Sequence, residues 1–462
     1  MTTDTDVAVI GSGFSAAALA INLVNRLAPT ARVSLVGRKA KWGRGIAYST
    51  RADCHLLNVT AARMSLFADQ PDHFVQWLSQ NGYAQAGDEF IPRQVYGRYI
   101  GSCLDTALEP SGNRAALHIV DAEVADAEIT AEGGFRLMLT DGVTLSAGAA
   151  ALCTGAGFRR LPIPEDAIAP GARQSIVDDP WQDEWWERLP KDADILLVGT
   201  GLTMIDQCLL LKARGFEGRL LAVSRRGLLP QPHLTPRKQP GDPVLSPGTG
   251  EVSGMLSRLR ASARQEGDWR KVTDGLRPVT QALWTGLSAS QRQRFLRHAA
   301  PYWNVHRHRM APSVAAEIAE LRNAGRLVVH RGRPASVRAV EGQIEVEIRG
   351  RANTTLCVDA LVNCSGLERC TIDASPLLAN LSKRGLVTAD PLGLGIWVDD
   401  ASACLPASEP KPPLYALGLL TAGRHWEITA VPDIRVQAAA VAAAIAGRIG
   451  RARPADEGAV RI

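Results

Sequence analysis

The sequence predicts an α/β fold of two parallel-sheet units, with small β meanders and one helical insert. Three observations predict it: a strand, glycine turn and helix near the N-terminus, the return of that pattern at residue 194, and a Pro-rich helical excursion that interrupts the second unit.

In Val7-Ala-Val-Ile-Gly-Ser-Gly-Phe-Ser-Ala-Ala17, an apolar run ends in Gly11-Ser12-Gly13, a helical stretch follows over 14–27 and a second strand over 32–36. Glycines placed where a parallel strand hands over to a helix mark a Rossmann-like unit. Asp194-Ile-Leu-Leu-Val-Gly-Thr-Gly-Leu-Thr-Met204 repeats the pattern, with a helix to about Arg214, a stop at Gly215 and a strand over 219–224. Two such units in one chain are far more specific than one. Between them, residues 135–139 and 143–145 read as a hairpin around Asp141-Gly142, and Ala149-Ala-Ala-Leu-Cys-Thr-Gly155 closes the region. Strands expected at 327–330, 343–348 and 355–358 lead in the same manner to Ala360-Leu-Val-Asn-Cys-Ser-Gly366. Residues 228–309 form the insert, entered through Pro230, Pro232, Pro236, Pro240, Pro243 and Pro247 and carrying Trp269, Trp284 and Trp303. An alanine-rich helix over 431–449, suited to close helix packing, ends the pattern. The expected organisation is a first domain begun over 1–165, a second domain over 166–330 that carries the insert, and the rest of the first domain over 331–462.

Composition narrows the class. The 462 residues are 46% hydrophobic and 21% charged, with 52 basic against 47 acidic side chains, which is globular rather than disordered. The small charge excess is scattered, so nucleic acid is not an expected partner. No apolar run reaches the roughly 18 residues of a membrane span, and the acidic N-terminus leads straight into a strand without a signal-peptide pattern. Eight cysteines without a Cys-x-x-Cys pair fit reduced thiols, and the expected location is cytoplasmic.

The glycine turns explain what the units bind. A helix N-terminus carries unpaired N–H groups and about half a positive charge, which suits a pyrophosphate. Gly11 and Gly13 let the backbone approach that group, and Ala16 is small enough for helix–strand packing; a tight turn without a ligand is the alternative. An acid that would bind ribose hydroxyls is absent from the end of the second strand, Leu35-Val36-Gly37-Arg38-Lys39, and the next acid is Asp53. Either another group holds the ribose or adenosine binding is weaker than usual; if the missing acid matters, FAD should be lost on dilution and Gly37→Glu should tighten it. In the second unit the same place reads Ser224-Arg225-Arg226, which suits a 2′-phosphate, against the alternative of a solvated basic turn. The simplest assignment is tightly held FAD in the first unit and exchangeable NADPH in the second, with a hydride passing between them.

At this level of detail the chain resembles the bacterial FAD/NAD(P)-binding proteins, relatives of the flavin-containing and N-hydroxylating monooxygenases. The stretch Cys54-His-Leu-Leu-Asn-Val-Thr-Ala-Ala-Arg-Met-Ser-Leu-Phe-Ala-Asp-Gln-Pro-Asp-His-Phe74 looks like the Asn-containing active-site segment of flavin-containing monooxygenases. Gly43-Arg-Gly-Ile-Ala-Tyr-Ser49, Pro92-Arg-Gln-Val-Tyr-Gly97, Gly199-Thr-Gly-Leu-Thr-Met-Ile-Asp206, Ser224-Arg-Arg-Gly227, His306-Arg-His-Arg309 and Trp426-Glu-Ile-Thr-Ala-Val-Pro-Asp-Ile-Arg435 carry the wider resemblance over nearly the full length. It implies a two-domain flavoprotein of the disulfide-reductase type with the NADPH domain inserted into the FAD domain. Ketone-to-ester chemistry is disfavoured, because the Phe-x-Gly-x-x-x-His fingerprint is absent around residues 177–186.

The resemblance and the residues together give a candidate site. Asn58 is the catalytic candidate, with a helix-capping loop Asn as the rival reading. Tyr48 and Met64 are expected to pack against the cofactor. Gly11, Ser12, Gly13, Phe14, Ser15, Arg38, Gly43, Gly155, Gly366 and Gly418 complete the expected FAD contacts, and Gly199, Gly201, Leu202, Thr203, Ser224, Arg225 and Arg226 the NADPH contacts. Trp426 is expected either to wall the substrate pocket or to pack in the core. His298, Arg307 and Arg309 of the insert are candidates for holding an anionic or polar substrate, while a homodimer interface is the competing use of the insert. No metal is expected: His306 and His308 lack helical ligand spacing and nearby carboxylates. Cys364 reads as a small buried residue. The resulting expectation is an FAD-dependent, NADPH-consuming monooxygenase that uses O₂, by way of a C4a-hydroperoxyflavin, to hydroxylate a small polar molecule at N or activated C. An NADPH-dependent reductase with another acceptor and a non-catalytic flavoprotein module are the alternatives.

Overall fold

The computed structural model describes residues 3–452 except 39–41, 84–85, 158, 183, 236–238, 249, 369–370 and 409. In the first unit, β1 (Thr3–Ile10) leads through the glycine turn into α1 (Phe14–Val24) and β2 (Arg32–Gly37). Helices α2 (His73–Gln80) and α3 (Arg93–Leu108) precede β3 (Ala116–Asp121), β4 (Val124–Ile129), β5 (Phe135–Leu139) and β6 (Thr144–Leu152). The sheet order is β3-β2-β1-β6-β5-β4, with β1 parallel to β2 and β6. The expected hairpin is present as the antiparallel β5–β6 pair, Phe135 facing Ala147 and Leu137 facing Leu145.

The second unit comprises β7 (Ile176–Val177), β8 (Ile195–Val198), α4 (Leu202–Ala213) and β9 (Leu220–Ser224). The insert supplies α5 (Val252–Glu266), α6 (Trp269–Gly275), α7 (Thr280–Gly286), α8 (Ala289–Arg294) and α9 (Ala300–Arg307). After it come α10 (Pro312–Asn323), β10 (Leu327–Arg331), β11 (Arg333–Val340), β12 (Gln343–Arg349), β13 (Thr354–Val358) and β14 (Ala360–Asn363). The parallel sheet runs β10-β9-β8-β14-β7, and β11-β12-β13 is a separate antiparallel meander. Two expectations change here. Residues 327–330 belong to a parallel edge strand beside β9, not to the meander. The second unit also continues to Asn363 rather than 330, because β14 pairs with β8 and β7.

The chain then returns to the first unit through α11 (Thr371–Ala374), α12 (Pro376–Lys383), β15 (Leu414–Ala416) and α13 (Val431–Ala452). Strand β15 lies parallel to residues 150–152 of β6, so β6 faces β5 with its first half and β15 with its second. The alanines do what their size predicts: Ala16, Ala17, Ala18 and Ala20 of α1 are fully buried in one cluster with Ala438 and Ala442 of α13. Small side chains there let the two helices approach closely over the sheet.

Candidate functional site

The two glycine turns are built to one plan. Gly11 N–H donates to the Val36 carbonyl and Gly199 N–H to the Val223 carbonyl, each at 2.8 Å. Gly11 has φ +141° and Gly199 φ +125°. A Cβ on Gly11 would lie 2.3 Å from the Cys153 carbonyl oxygen, and one on Gly199 2.1 Å from that of Cys364. Each turn is thus wedged against the end of its closing strand, and only glycine fits. Gly13 and Gly201 are the N-caps of α1 and α4, with neither a side-chain cap nor an acid in the first turn. Phe14 is buried while Ser12 and Ser15 are half-buried; Leu202 and Thr203 begin α4 in the equivalent place. Gly155 (φ +70°) and Gly366 (φ +96°) follow the closing strands just beyond the two turns.

Over the first turn, Gly45 comes so near Gly13 that its Cβ would stand 3.0 Å from the Gly13 Cα, and Gly43 (φ +70°) would strike Ile100 at 2.6 Å. Tyr48 follows, its ring 6.4 Å from Phe14 and 4.7 Å from Tyr96, and burial pushes its hydroxyl up to about 12. Met64 is buried in the same cluster. Gly418 (φ +67°) would put a Cβ 2.5 Å from Ser15 Oγ; its N–H donates to Gln437 Oε1 at 2.9 Å. The Trp42 Nε1 and Tyr96 hydroxyl are buried without a hydrogen-bond partner among the described residues. Uncapped N–H groups, a Cβ-free cradle and buried orphan donors fit a phosphate-bearing cofactor with a polar tail.

Gly37 explains the missing acid. A Cβ there would stand 3.0 Å from the Gly11 carbonyl carbon and 3.1 Å from Ser12 Cβ, so a larger residue presses on the Gly11–Gly13 turn. The expected gain from Gly37→Glu therefore falls away, since any new ribose contact comes with displacement of Gly11. Arg38 is exposed and pairs with Glu123, which brings a carboxylate from the β3–β4 turn to the end of β2.

Asn58 is half-buried, and its amide has no hydrogen bond to a described residue, leaving it able to meet a ligand. Its carbonyl accepts from His233 Nε2 at 3.1 Å, which ties the loop to the entry of the insert. Beside it lies the main junction of the two units. Arg93, at the start of α3, makes a bidentate pair with Asp206 of α4 at 2.8 and 3.1 Å, and its Nε donates to the Leu56 carbonyl. His55 bridges Thr50 Oγ1 and the Asp206 carbonyl. Arg93 and Asp206 both lie in motifs, but nothing local in the sequence signals a pair 113 positions apart.

At the second turn, Ser224 Oγ shares a 2.8 Å hydrogen bond with Thr200 Oγ1 and accepts from Gly227 N–H. Arg225 is exposed beyond it. Arg226 turns to the insert, donating to the Arg297 carbonyl at 3.2 Å under the Tyr302 ring.

The insert docks on the segment ahead of α13. Trp284 is buried, stacks on Trp426 with centroids 4.5 Å apart and donates to the Gly423 carbonyl at 2.8 Å. Trp426 is therefore packed between the insert and the first unit. Arg307 pairs with Glu427 at 3.1 Å, Trp303 Nε1 meets the same carboxylate, and Arg277 pairs with Asp433 at 3.0 Å. Glu427 holds φ +63°, a strained value for a non-glycine residue that this docking maintains. Arg309 is 3% exposed and forked onto Asp274. Arg307 thus fastens the insert to the segment ahead of α13 and Arg309 holds the insert together, rather than presenting free cations, because each is already paired with a carboxylate. His298 is exposed on the short helix just before α9. The tryptophans are used within the chain: Trp284 is buried, and Trp269 and Trp303 are half-covered.

His308 lies in this docking surface, and burial pushes it down from its ordinary 6.5 to about 4, opposed by Glu427 and reinforced by Arg307 and Arg277. The folded protein favours the neutral ring. The unfolded chain takes up its proton near pH 6.5, so this contribution to stability is full above that value and is lost as pH falls towards about 4. The loss reaches at most about 1.4 kcal/mol per pH unit. His55 and His425, also lowered by burial, act in the same direction. The urea midpoint is expected to fall between about pH 7 and about pH 5, less steeply in His308→Gln; equal slopes would show that His308 titrates as if in water.

Residues 8–157 match the FAD-NAD(P)-binding family. This stretch is an FAD-NAD(P)-binding domain. Among curated proteins, no sequence matches the chain. Among solved structures, an ornithine N-hydroxylase of Kutzneria sp. 744, held with reduced FAD, NADP⁺ and L-ornithine, is 15% identical with a TM-score of 0.64, covering 96% of this chain and 99% of that one. An L-lysine 6-monooxygenase of Pseudomonas syringae is 16% identical with a TM-score of 0.66, covering 96% and 99%. A thioredoxin reductase of T. acidophilum is 12% identical with a TM-score of 0.53, covering 96% and 98%. These likenesses show the fold: the FAD-NAD(P)-binding domain and the unit inserted after it form the two-domain architecture of FAD- and NAD(P)-linked monooxygenases and disulfide reductases. No helix among the described residues is long and apolar enough to cross a membrane.

Proposed function

We propose that this chain is an FAD-dependent, NADPH-consuming monooxygenase that hydroxylates a small polar molecule at nitrogen or an activated carbon. The observation that carries the reading is the pair of glycine turns built to one plan, one per parallel sheet, each wedged on the carbonyl of a closing strand. The overall conversion is substrate, O₂, NADPH and a proton to hydroxylated substrate, water and NADP⁺. FAD, when bound, supplies hydride uptake and oxygen activation. The chain supplies the rest. The α1 turn with Gly43, Gly45 and Ser15 holds the first dinucleotide, and the α4 turn with Arg225 holds the second. Asn58 offers its uncommitted amide near the reacting end. The insert, clamped through Trp284–Trp426 and Arg307–Glu427, excludes water from the junction.

Oxygen is favoured as acceptor over a protein dithiol because six of the thiols are covered and held protonated. Burial pushes Cys54 to about 11 and Cys103 to about 12, and raises Cys153, Cys208, Cys364 and Cys404 strongly. Fold likeness to enzymes named for ornithine and lysine supports an amine-bearing substrate.

The test is oxygen uptake and peroxide release by the FAD-loaded protein with NADPH, with and without L-ornithine, L-lysine and cadaverine. The expected result is slow peroxide release alone, and, with a true substrate, less peroxide together with a product gaining one oxygen atom. NADPH oxidation that ignores O₂ but follows an added quinone or disulfide would replace this reading with a reductase.

A further inference from the structure

We infer that Arg159 and Arg333 join Arg225 in reading the 2′-phosphate of NADPH, and that Arg226 does not. The inference rests on the second glycine turn being the NADPH site and adds residues to it from outside the Ser-Arg-Arg turn.

Three strands bring these arginines to one edge of the second sheet. Ser224, at the end of β9, faces Arg331 of β10 in register, and its carbonyl accepts from Gly332 N–H at 3.0 Å. Arg225 and Arg333 therefore leave adjacent strand ends side by side. Arg159 reaches the same edge from the other side: its N–H donates to the Gly366 carbonyl at 3.1 Å, and its carbonyl accepts from Asn363 Nδ2 at 2.7 Å. That places it at the end of β14, one strand across from Gly199 at the end of β8. Arg225 responds to both neighbours. Partial burial lowers its pKa first, and the charges of Arg333, Arg226 and Arg159 lower it further.

Elsewhere on this unit arginines find carboxylates, as in Arg219–Asp194, Arg338–Glu345 and Arg349–Glu347. Arg159, Arg225 and Arg333 have no carboxylate partner among the described residues. Three guanidiniums without a carboxylate between them, at the mouth of a dinucleotide turn, are a site for a phosphate dianion, which each can meet with a planar pair of N–H donors. Arg226 is drawn away to Tyr302 and the Arg297 carbonyl, so its charge fastens the insert.

Equilibrium binding of NADP⁺ and NAD⁺ to the FAD-loaded full chain tests this, with FAD retention confirming that each variant is folded. Arg159→Ala, Arg333→Ala and Arg225→Ala should each weaken NADP⁺ about tenfold, and leave NAD⁺ unchanged. Arg226→Ala should keep the native ratio of the two affinities. A lowered ratio in Arg225→Ala with native ratios in Arg159→Ala and Arg333→Ala would overturn the inference alone. A native protein that binds NADP⁺ no better than NAD⁺ would overturn both the inference and the NADPH reading beneath it.

Discussion

Gly11→Ala is expected to abolish FAD retention, and Gly199→Ala to abolish reduction by NADPH while leaving FAD in place. In each case the new methyl group meets a backbone carbonyl oxygen at 2.3 or 2.1 Å. No side chain can move aside, because the obstruction is the end of a central strand, and the left-hand φ values add strain. The turn must shift, and with it the N–H groups proposed to face the pyrophosphate. The stability cost is at least that of overpacking, about 1–3 kcal/mol. Gly101→Ala, in α3 with open space around its Cβ, is the control and should be neutral or slightly stabilising. Absorbance after gel filtration measures flavin retention, and anaerobic titration measures reduction. A Gly199→Ala protein with native NADPH affinity would remove the second turn from the coenzyme site.

Arg93→Ala is expected to be the most destabilising change at the junction of the units. It strands the Asp206 carboxylate, whose side chain is only 8% exposed, and also removes the donor to the Leu56 carbonyl. Breaking one side of such a buried pair costs about 3–5 kcal/mol. Arg93→Ala/Asp206→Leu should recover part of that loss, because no buried charge is left unpaired. Urea unfolding of the three proteins decides it: a double variant no better than Arg93→Ala would mean that the arginine acts through packing rather than charge. The junction carries Asn58 on the same loop, so Arg93→Ala should also lower the yield of product per NADPH oxidised.

The parts of the fold legible in the sequence were those written locally. Strand, glycine turn and helix are contiguous, and Asp141-Gly142 between alternating runs specifies its own hairpin. The boundary near 330 was misplaced because 327–330 and 343–348 both read as short strands, while their partners, β9 for one and β11 and β13 for the other, lie at distances that no local pattern encodes. Strand β7 has two residues, too few for any periodicity. The two glycine turns were legible because glycine is required there sterically. The absent acid at Gly37 was legible too, but its cause, the nearness of Gly11, was not. Arg307 and Arg309 looked like free cations because Glu427 and Asp274 are distant in sequence. The Arg93–Asp206 pair was hidden for the same reason.

In the proposed reaction one unit holds FAD and the other delivers a hydride to it from NADPH. Anaerobic titration of the yellow protein with NADPH, and separately with NADH, tests this most directly. The expected result is full bleaching of the flavin by about one equivalent of NADPH, much slower bleaching by NADH, and return of the colour on admitting oxygen. A flavin that stays oxidised under excess NADPH in the folded native protein would contradict it.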